Sequence, residues 1–157
     1  PGSWSLGAAE RVGAQGKVLA CDIQSTVTVF PPNVEFHQED VFQRSEAFER
    51  QLAETGPFHV VMSDMAPQTT GTKFTDQARS LELCLEALAV AEKYLVKGGS
   101  FVVKIFMGPD VGELLKGMRP RFARVTSFKP QSSRVESKET FFVGLGFKGK
   151  EADGARD

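Results

Sequence analysis

The sequence predicts an α/β fold, in which a mostly parallel sheet carries helices on both faces. Strand-length apolar segments alternate with helical segments along the chain, which is the pattern of parallel sheets. Three of the predicted strands end in an acid, at Asp22, Asp40 and Asp64. Ligands of such folds bind beyond the carboxyl ends of the strands, so these acids predict a shared binding cleft.

The first half of the chain supplies three of the predicted strands. Apolar runs of strand length cover 17–23, 33–40 and 58–64, and a short helix over 44–55 separates the second from the third. The opening segment PGSWSLGAAERVGAQG is a Pro-Gly turn that leads directly into a helix. Such a turn normally follows a strand, so we expect the natural protein to be longer, with a central first strand upstream.

The second half begins with a long helix, for which Asp76 is the predicted N-cap. Gly98-Gly99 is the predicted end of this helix, and the strand SFVVKIF follows. The remaining elements are a short helix and two strands, over 110–119, 123–128 and 140–147. We place one domain at 1–148 and a polar tail at 149–157.

Composition excludes several classes of protein. With 41% hydrophobic and 25% charged residues and no run of about 18 apolar residues, the sequence predicts a globular protein without a transmembrane helix. Cys21 and Cys84 lack metal-ligand spacing, and we predict that both are reduced, buried residues of a cytoplasmic protein. His37 and His59 have no partner at useful spacing either, so we predict no metal.

Basic residues are concentrated in the C-terminal third. Residues 116–150 hold nine Lys and Arg against two Glu, although the whole chain has a net charge of −1. This distribution is typical of a phosphate-binding surface and equally of a solvated face, and charge alone does not distinguish the two.

Lys104 lies in the middle of SFVVKIFMG, a run that otherwise resembles a fully buried strand. A buried ammonium group is costly unless it is paired, and Asp64 and Glu139 are the carboxylates that we expect beside it. A structural ion pair, or a side chain that extends to the sheet edge, explains the spacing as well as a catalytic group does.

Three motifs favour the catalytic reading when they are taken together. Over residues 1–148 the chain resembles the FtsJ (RrmJ) family of ribose 2′-O-methyltransferases. The motifs that carry the resemblance are, in order, SDMAP, GGSFVVKIF and KPQSSRVESKETFFV. PGSW resembles the second half of that family's glycine-rich cofactor loop, with Ser3 in place of a glycine. The resemblance implies a Rossmann-like methyltransferase fold and S-adenosylmethionine as the cofactor.

The family uses a Lys-Asp-Lys-Glu set. The resemblance implies that Asp64, Lys104 and Glu139 are its last three members, and that the first lysine lies upstream. It also implies a cofactor site formed by Gly2, Trp4, Asp22, Asp40 and Asp64. For Lys104 it implies either a general base or a group that orients the ribose 2′-oxygen.

The implied substrate is a uridine of large-subunit ribosomal RNA in the assembled particle. We expect the protein to act as a monomer and not to associate with a membrane. Arg134 and Lys138 are the predicted contacts to the RNA backbone. A tRNA or mRNA-cap 2′-O-methyltransferase and a non-catalytic RNA- or cofactor-binding domain of the same fold remain the alternatives. The retained Asp64, Lys104 and Glu139 argue against a binding domain, which has no need of all three.

Overall fold

The computed structural model describes residues 3–65, 70–129 and 139–149, and it divides the chain into two compact units, Pro1–Gly56 and Pro57–Asp157. The elements of the first unit are α1 (Ser3–Val12), β1 (Val18–Asp22), β2 (Val34–Gln38) and α2 (Glu46–Thr55). β1 and β2 pair in parallel, in a register that runs from Val18 opposite Val34 to Asp22 opposite Gln38. Their carboxyl ends therefore lie at one edge of this small sheet.

The buried apolar side chains of the first unit belong to α2 and, at Ala9, to α1. The Ser45 hydroxyl caps α2 by accepting a hydrogen bond from the Phe48 N–H, 3.1 Å away. Phe48 and Leu52 are both buried, and the Phe48 ring packs against His37 of β2 at 5.2 Å between centroids. This contact places α2 over β2.

The second unit is a four-stranded sheet with two helices. Its elements are β3 (Phe58–Ser63), α3 (Lys73–Tyr94), β4 (Leu95–Phe106), α4 (Val111–Met118), β5 (Phe122–Phe128) and β6 (Glu139–Phe147). The strand order is β3-β4-β6-β5. β3 and β4 are parallel, and β6 is antiparallel to both β4 and β5. Three strands thus share one direction, which confirms the predicted α/β fold with a mostly parallel sheet.

The core of the second unit lies between one face of its sheet and the two helices. Alternation along β4 buries Phe101, Val103 and Ile105 on this face, each 1% exposed or less. The core also includes residues of α3, α4, β5 and β6, namely Cys84, Ala87, Leu88, Ala91, Leu114, Met118, Phe122, Phe142 and Phe147. Each large apolar side chain buried here contributes about 1.5–3 kcal/mol relative to exposure.

Both predicted ends of the long helix are wrong. α3 begins at Lys73 after Thr72, so Asp76 lies in its first turn. The helix ends at Tyr94, and Gly98-Gly99 lies within β4. A side chain at Gly99 would place its Cβ 3.1 Å from the His59 carbonyl oxygen. Gly99 therefore permits close contact between β3 and β4, and Gly98 adopts a φ of 86° within the same strand, so neither glycine ends the helix.

The prediction that both cysteines are buried is half correct. Cys84 is 1% exposed in the core, whereas Cys21 is exposed. Cys21 lies opposite His37 in the β1–β2 register, and α2 covers the His37 side of that face. The β1 side remains open among the residues described. None of the helices that the structure describes is long and apolar enough to cross a membrane.

Candidate functional site

Two acids lie at the carboxyl edge of the first unit's sheet. Asp22 is the last residue of β1, and its Oδ1 accepts a hydrogen bond from the Gln24 N–H at 2.9 Å. Asp40 follows β2 and accepts in the same way from the Phe42 N–H at 2.9 Å. Each turn engages Oδ1, and a carboxylate has a second oxygen that can accept from a ligand.

The residues of this edge fit the nucleoside part of a cofactor. Carboxylates at strand ends accept hydrogen bonds from ribose hydroxyls or from a base amino group, and Asp22 and Asp40 are placed for this. Trp4 lies half-buried in α1, which packs against β1 and β2. Gly2, the other predicted loop residue, lies outside the described residues.

In the second unit, strand alternation explains the lysine in an apolar strand. Val103 and Ile105 point into the core, and Lys104 between them points to the opposite face. The side chain is 16% exposed and its Nζ lies 3.8 Å from Glu139 Oε1. The charge is therefore outside the apolar core and beside a carboxylate.

The pairing of three strands brings the predicted catalytic residues together. Lys104 lies opposite Phe141 of β6, so Glu139 is its diagonal neighbour on the same face. On the other side, Ser63 lies opposite Val103, and Asp64 is the next residue of the chain. Asp64 is exposed. The carboxyl ends of β3 and β4 and the start of β6 therefore place all three predicted residues at the same end of the four-stranded sheet: Asp64, Lys104 and Glu139.

Three polar side chains of α3 hold the end of β4 and were not predicted as functional. Gln77 Nε2 donates to the Met107 carbonyl oxygen at 2.8 Å, and Ser80 Oγ accepts from the Phe106 N–H at 3.1 Å. Cys84 Sγ donates to the carbonyl oxygen of Lys104 itself at 3.1 Å. Spacings of three and four residues put these groups on one helix face, and that spacing was the signal in the sequence.

Gly108 permits this close contact. A Cβ at this position would lie 2.5 Å from Cδ of Gln77. A side chain at this position would therefore displace the Gln77 amide group, which donates to the Met107 carbonyl oxygen.

Burial raises the pKa of the Cys84 thiol to about 12, and the Ser80 hydrogen bond and the charge of Lys104 oppose this rise only in part. The thiol therefore stays protonated and remains a hydrogen-bond donor to Lys104 throughout the neutral range.

Asp76 anchors the segment before α3. Its Oδ1 accepts hydrogen bonds from the Thr70 N–H at 2.8 Å and from the Thr70 hydroxyl at 2.9 Å. These bonds, the backbone bond first, lower the pKa of the Asp76 carboxyl. Thr70 is thereby tied to the helix that also holds the end of β4.

The predicted basic surface is described only in part. Arg134 and Lys138 lie outside the described residues, as does the polar tail beyond 149. The described basic residues of this third are exposed for the most part and belong to α4, β5 and the segments that flank them: Lys116, Arg119, Arg121, Arg124, Lys129 and Lys148.

Comparison with known proteins gives a consistent set of relatives. The sequence model for FtsJ-like methyltransferases matches residues 1–147. A ribosomal RNA large subunit methyltransferase E from Nitratidesulfovibrio vulgaris (strain DSM 19637 / Miyazaki F) is 73% identical over 157 residues. The alignment covers 100% of this chain and 77% of that relative.

Solved structures agree with the sequence comparison. A Plasmodium falciparum protein solved as a ribosomal RNA methyltransferase has a TM-score of 0.80 at 25% identity, over 96% of this chain and 83% of its own. A Streptococcus mutans methyltransferase in complex with SAH has a TM-score of 0.51 at 15% identity, over 83% of this chain and 72% of its own. This second likeness concerns the fold alone. The Rossmann-like methyltransferase fold predicted from the sequence is thus confirmed.

Proposed function

Because the chain belongs to the FtsJ-like methyltransferase family, we propose that it methylates a ribose 2′-oxygen of large-subunit ribosomal RNA, at a uridine. The observation that carries the proposal is the 73% identity, across the whole chain, to a ribosomal RNA large subunit methyltransferase E. The geometry of Lys104 and Glu139 supplies a site that suits this chemistry.

The methyl donor is S-adenosylmethionine, of which SAH is the demethylated form. When bound, it supplies an electrophilic methyl group on a positively charged sulfur. In this proposal, Asp22 accepts from the ribose hydroxyls of the cofactor and Asp40 from its adenine amino group. Trp4 and Gly2 are the other cofactor residues proposed for the first unit. In the second unit, the family resemblance assigns the exposed carboxylate of Asp64 to the positive charge of the sulfonium.

We assign proton transfer to Lys104. The ribose hydroxyl is a weak nucleophile, and a base within hydrogen-bonding reach of it is required. In its neutral form, Lys104 Nζ would take the proton of the ribose 2′-hydroxyl. The bound cofactor would supply the methyl group to the 2′-oxygen, with its methyl–sulfur bond broken and S-adenosylhomocysteine as the leaving group. Glu139, whose Oε1 lies 3.8 Å from Nζ, orients the amine. The backbone of Lys104 is itself held by Cys84 of α3.

The substrate fits the surroundings of the site. Basic residues of α4, β5 and their flanks offer contacts to phosphates, and Arg134 and Lys138 extend this set in the sequence. We propose that the enzyme acts as a monomer in the cytoplasm, where ribosomal particles are its partner.

The test measures methyl transfer by the full-length protein. Large ribosomal subunits from a strain that lacks the modification are incubated with radiolabelled S-adenosylmethionine, and the labelled nucleotide is identified after digestion. We expect the label on the 2′-oxygen of a single uridine, and we expect the Lys104→Ala variant to lose it.

The matched control is Lys97→Ala, because Lys97 is an exposed lysine near the opposite end of the same strand as Lys104 and lies outside the basic segment 116–150. This variant should keep wild-type activity. Label on a base instead of a ribose, or label in tRNA and none in the large subunit, would overturn the proposal.

A further inference from the structure

A row of side chains crosses three neighbouring strands and begins at Lys104. Lys104 of β4 lies opposite Phe141 of β6, and Phe141 lies opposite Phe128 of β5. Residues that are directly opposite in a sheet project from the same face. Lys104, Phe141 and Phe128 therefore lie side by side on the face away from the core.

The two rings of this row are stacked. Their centroids are 5.0 Å apart and their planes differ by 13°. Phe141 is half-buried, whereas Phe128 at the outer end of the row is 51% exposed. The stack holds the Phe128 ring in a fixed plane and leaves part of it open to solvent.

Other aromatic pairs of this unit serve the core. The ring centroids of Phe101 and Phe122 are 6.1 Å apart, and those of Phe122 and Phe147 are 5.6 Å apart. Each of these three side chains is 2% exposed or less. Burial explains those pairs completely. It does not explain a stacked ring that keeps half of its surface in water, next to a predicted catalytic lysine.

Cations flank the exposed ring. Phe128 is the last residue of β5, the edge strand of the sheet, and the exposed Lys129 follows it. Arg124 is exposed on the same strand, four residues before Phe128 and hence on the same face. β5 itself, FARVTSF, contains no acidic residue. An aromatic ring between positive charges is the surface that binds unpaired bases together with their phosphates.

The spacing suits one nucleotide step. Neighbouring strands lie about 4.8 Å apart, so the backbones of Lys104 and Phe128 are separated by about 10 Å. A ribose held at Lys104 has its own base, and that of the next nucleotide, within this distance. We propose that Phe128, backed by Phe141, stacks against an unpaired base of the RNA at or next to the methylated nucleotide.

This inference rests on the proposed function, and its test uses the same assay with kinetic constants. Phe128→Ala in the full-length protein should raise KM for large subunits by roughly 5- to 100-fold, which is the range for loss of one stacked base. The dissociation constant for S-adenosylmethionine should not change, because the row does not include the cofactor residues. Phe128→Trp should restore KM, since a larger ring stacks at least as well.

Two further variants separate stacking from packing. Phe128→Leu keeps an apolar side chain and lacks the ring, so it should raise KM nearly as much as alanine does. Leu145→Ala is the matched control, because Leu145 lies opposite Arg124 on the same face and is 38% exposed. It should leave KM unchanged.

The outcomes are distinguishable. If the wild-type enzyme transfers the methyl group and Phe128→Leu and Phe128→Ala both keep the wild-type KM, the stacking inference is wrong and the proposed function stands. If the wild-type enzyme labels no ribosomal RNA, the proposed function fails and the inference fails with it.

Discussion

Lys104 belongs to a strand of the core, yet its side chain lies at the candidate site. Its neighbours Val103 and Ile105 fill the core, and its own side chain lies on the opposite face beside Glu139. The backbone carbonyl of Lys104 accepts from Cys84 of the helix behind it. The position of the amine is thus set by strand pairing on one side and by helix packing on the other.

A base role for Lys104 predicts that arginine cannot replace it. A guanidinium group keeps its charge at all accessible pH values, so Lys104→Arg should lower kcat by roughly 10²- to 10⁴-fold, the range for loss of a general base. Single-turnover methyl transfer measures this, with Lys97→Arg as the control. Activity of Lys104→Arg within a few-fold of wild type would mean that a charged donor suffices.

Cys84 makes stability depend on pH in the alkaline range. Its thiol has a pKa near 12 when folded and its ordinary value is 9.0, so above pH 9 the unfolded chain releases a proton that the folded chain retains. The contribution is complete below pH 9 and is lost as pH rises toward 12, at up to about 1.4 kcal/mol per pH unit. Urea unfolding at several pH values compares the Cys21→Ser variant, which keeps Cys84, with the double variant Cys21→Ser/Cys84→Ala. An identical pH dependence of the two proteins would contradict it.

At the scale of elements, α3 acts as a support for the end of β4. Gln77, Ser80 and Cys84 bond the backbone from Lys104 to Met107, where β4 leaves its pairing with β6. Among the described residues, Phe106 is the last residue of β4 that pairs with β6, so the bond from Gln77 to Met107 holds the backbone beyond that pairing. The helix therefore determines where the strand that carries the lysine stops.

Loss of one such bond should reduce both stability and rate. Ser80 is 2% exposed, so Ser80→Ala leaves the Phe106 N–H unpaired in the interior, at a cost of about 1–3 kcal/mol. We also expect a lower kcat with an unchanged KM, because a displaced Lys104 affects the reaction more than RNA binding. Chemical denaturation and steady-state kinetics test the two effects. Ser127→Ala, at an exposed position of β5, is the control and should change neither.

The bond network at Asp76 predicts a second dependence on pH, at the acid end. Thr70 lowers the pKa of the Asp76 carboxyl below its ordinary 3.8, so the contribution is present above that value and is lost as pH falls through the folded pKa. Asp76→Asn should be less stable than wild type at pH 7, and the gap should close in acid. Thermal unfolding from pH 7 to pH 3 measures it. Glu82→Gln, exposed on the same helix, should show no comparable gap.

The sequence predicted elements better than their ends. Alternation and helical spacing located every described strand and helix, because burial imposes those periods. The ends of α3 were missed, since Asp76 bonds Thr70 from inside the helix and Gly98-Gly99 lies within β4, where Gly99 contacts β3. The support of β4 by α3 was missed as well, because a hydrogen bond to a distant backbone leaves no local pattern around Lys104.

For the whole molecule, the distribution of charge affects whether free rRNA or the assembled large subunit is the better substrate. The chain has a net charge of −1, and its net positive charge is limited to residues 116–150, which hold nine Lys and Arg against two Glu. Such a protein gains little from the electrostatic attraction that dominates binding to free nucleic acid. The surface therefore favours a substrate that is already folded.

We accordingly expect assembled large subunits to be methylated more efficiently than the same rRNA stripped of protein. The difference in kcat/KM should be roughly tenfold or more at physiological salt, where weak phosphate contacts are screened. Parallel assays on particles and on deproteinised rRNA measure the ratio. Equal values would show that the RNA sequence alone is enough.

The position of β6 has a consequence for biosynthesis. This strand is made last of the described elements, yet it lies between β4 and β5. Synthesis proceeds from the N-terminus, so the centre of the sheet stays empty until residues 139–147 have emerged from the ribosome. A nascent chain thus carries Lys104 without Glu139 beside it and without the ring that supports Phe128. On the proposed function, we expect a chain terminated before β6 to be inactive, because it lacks both Glu139 and Phe141.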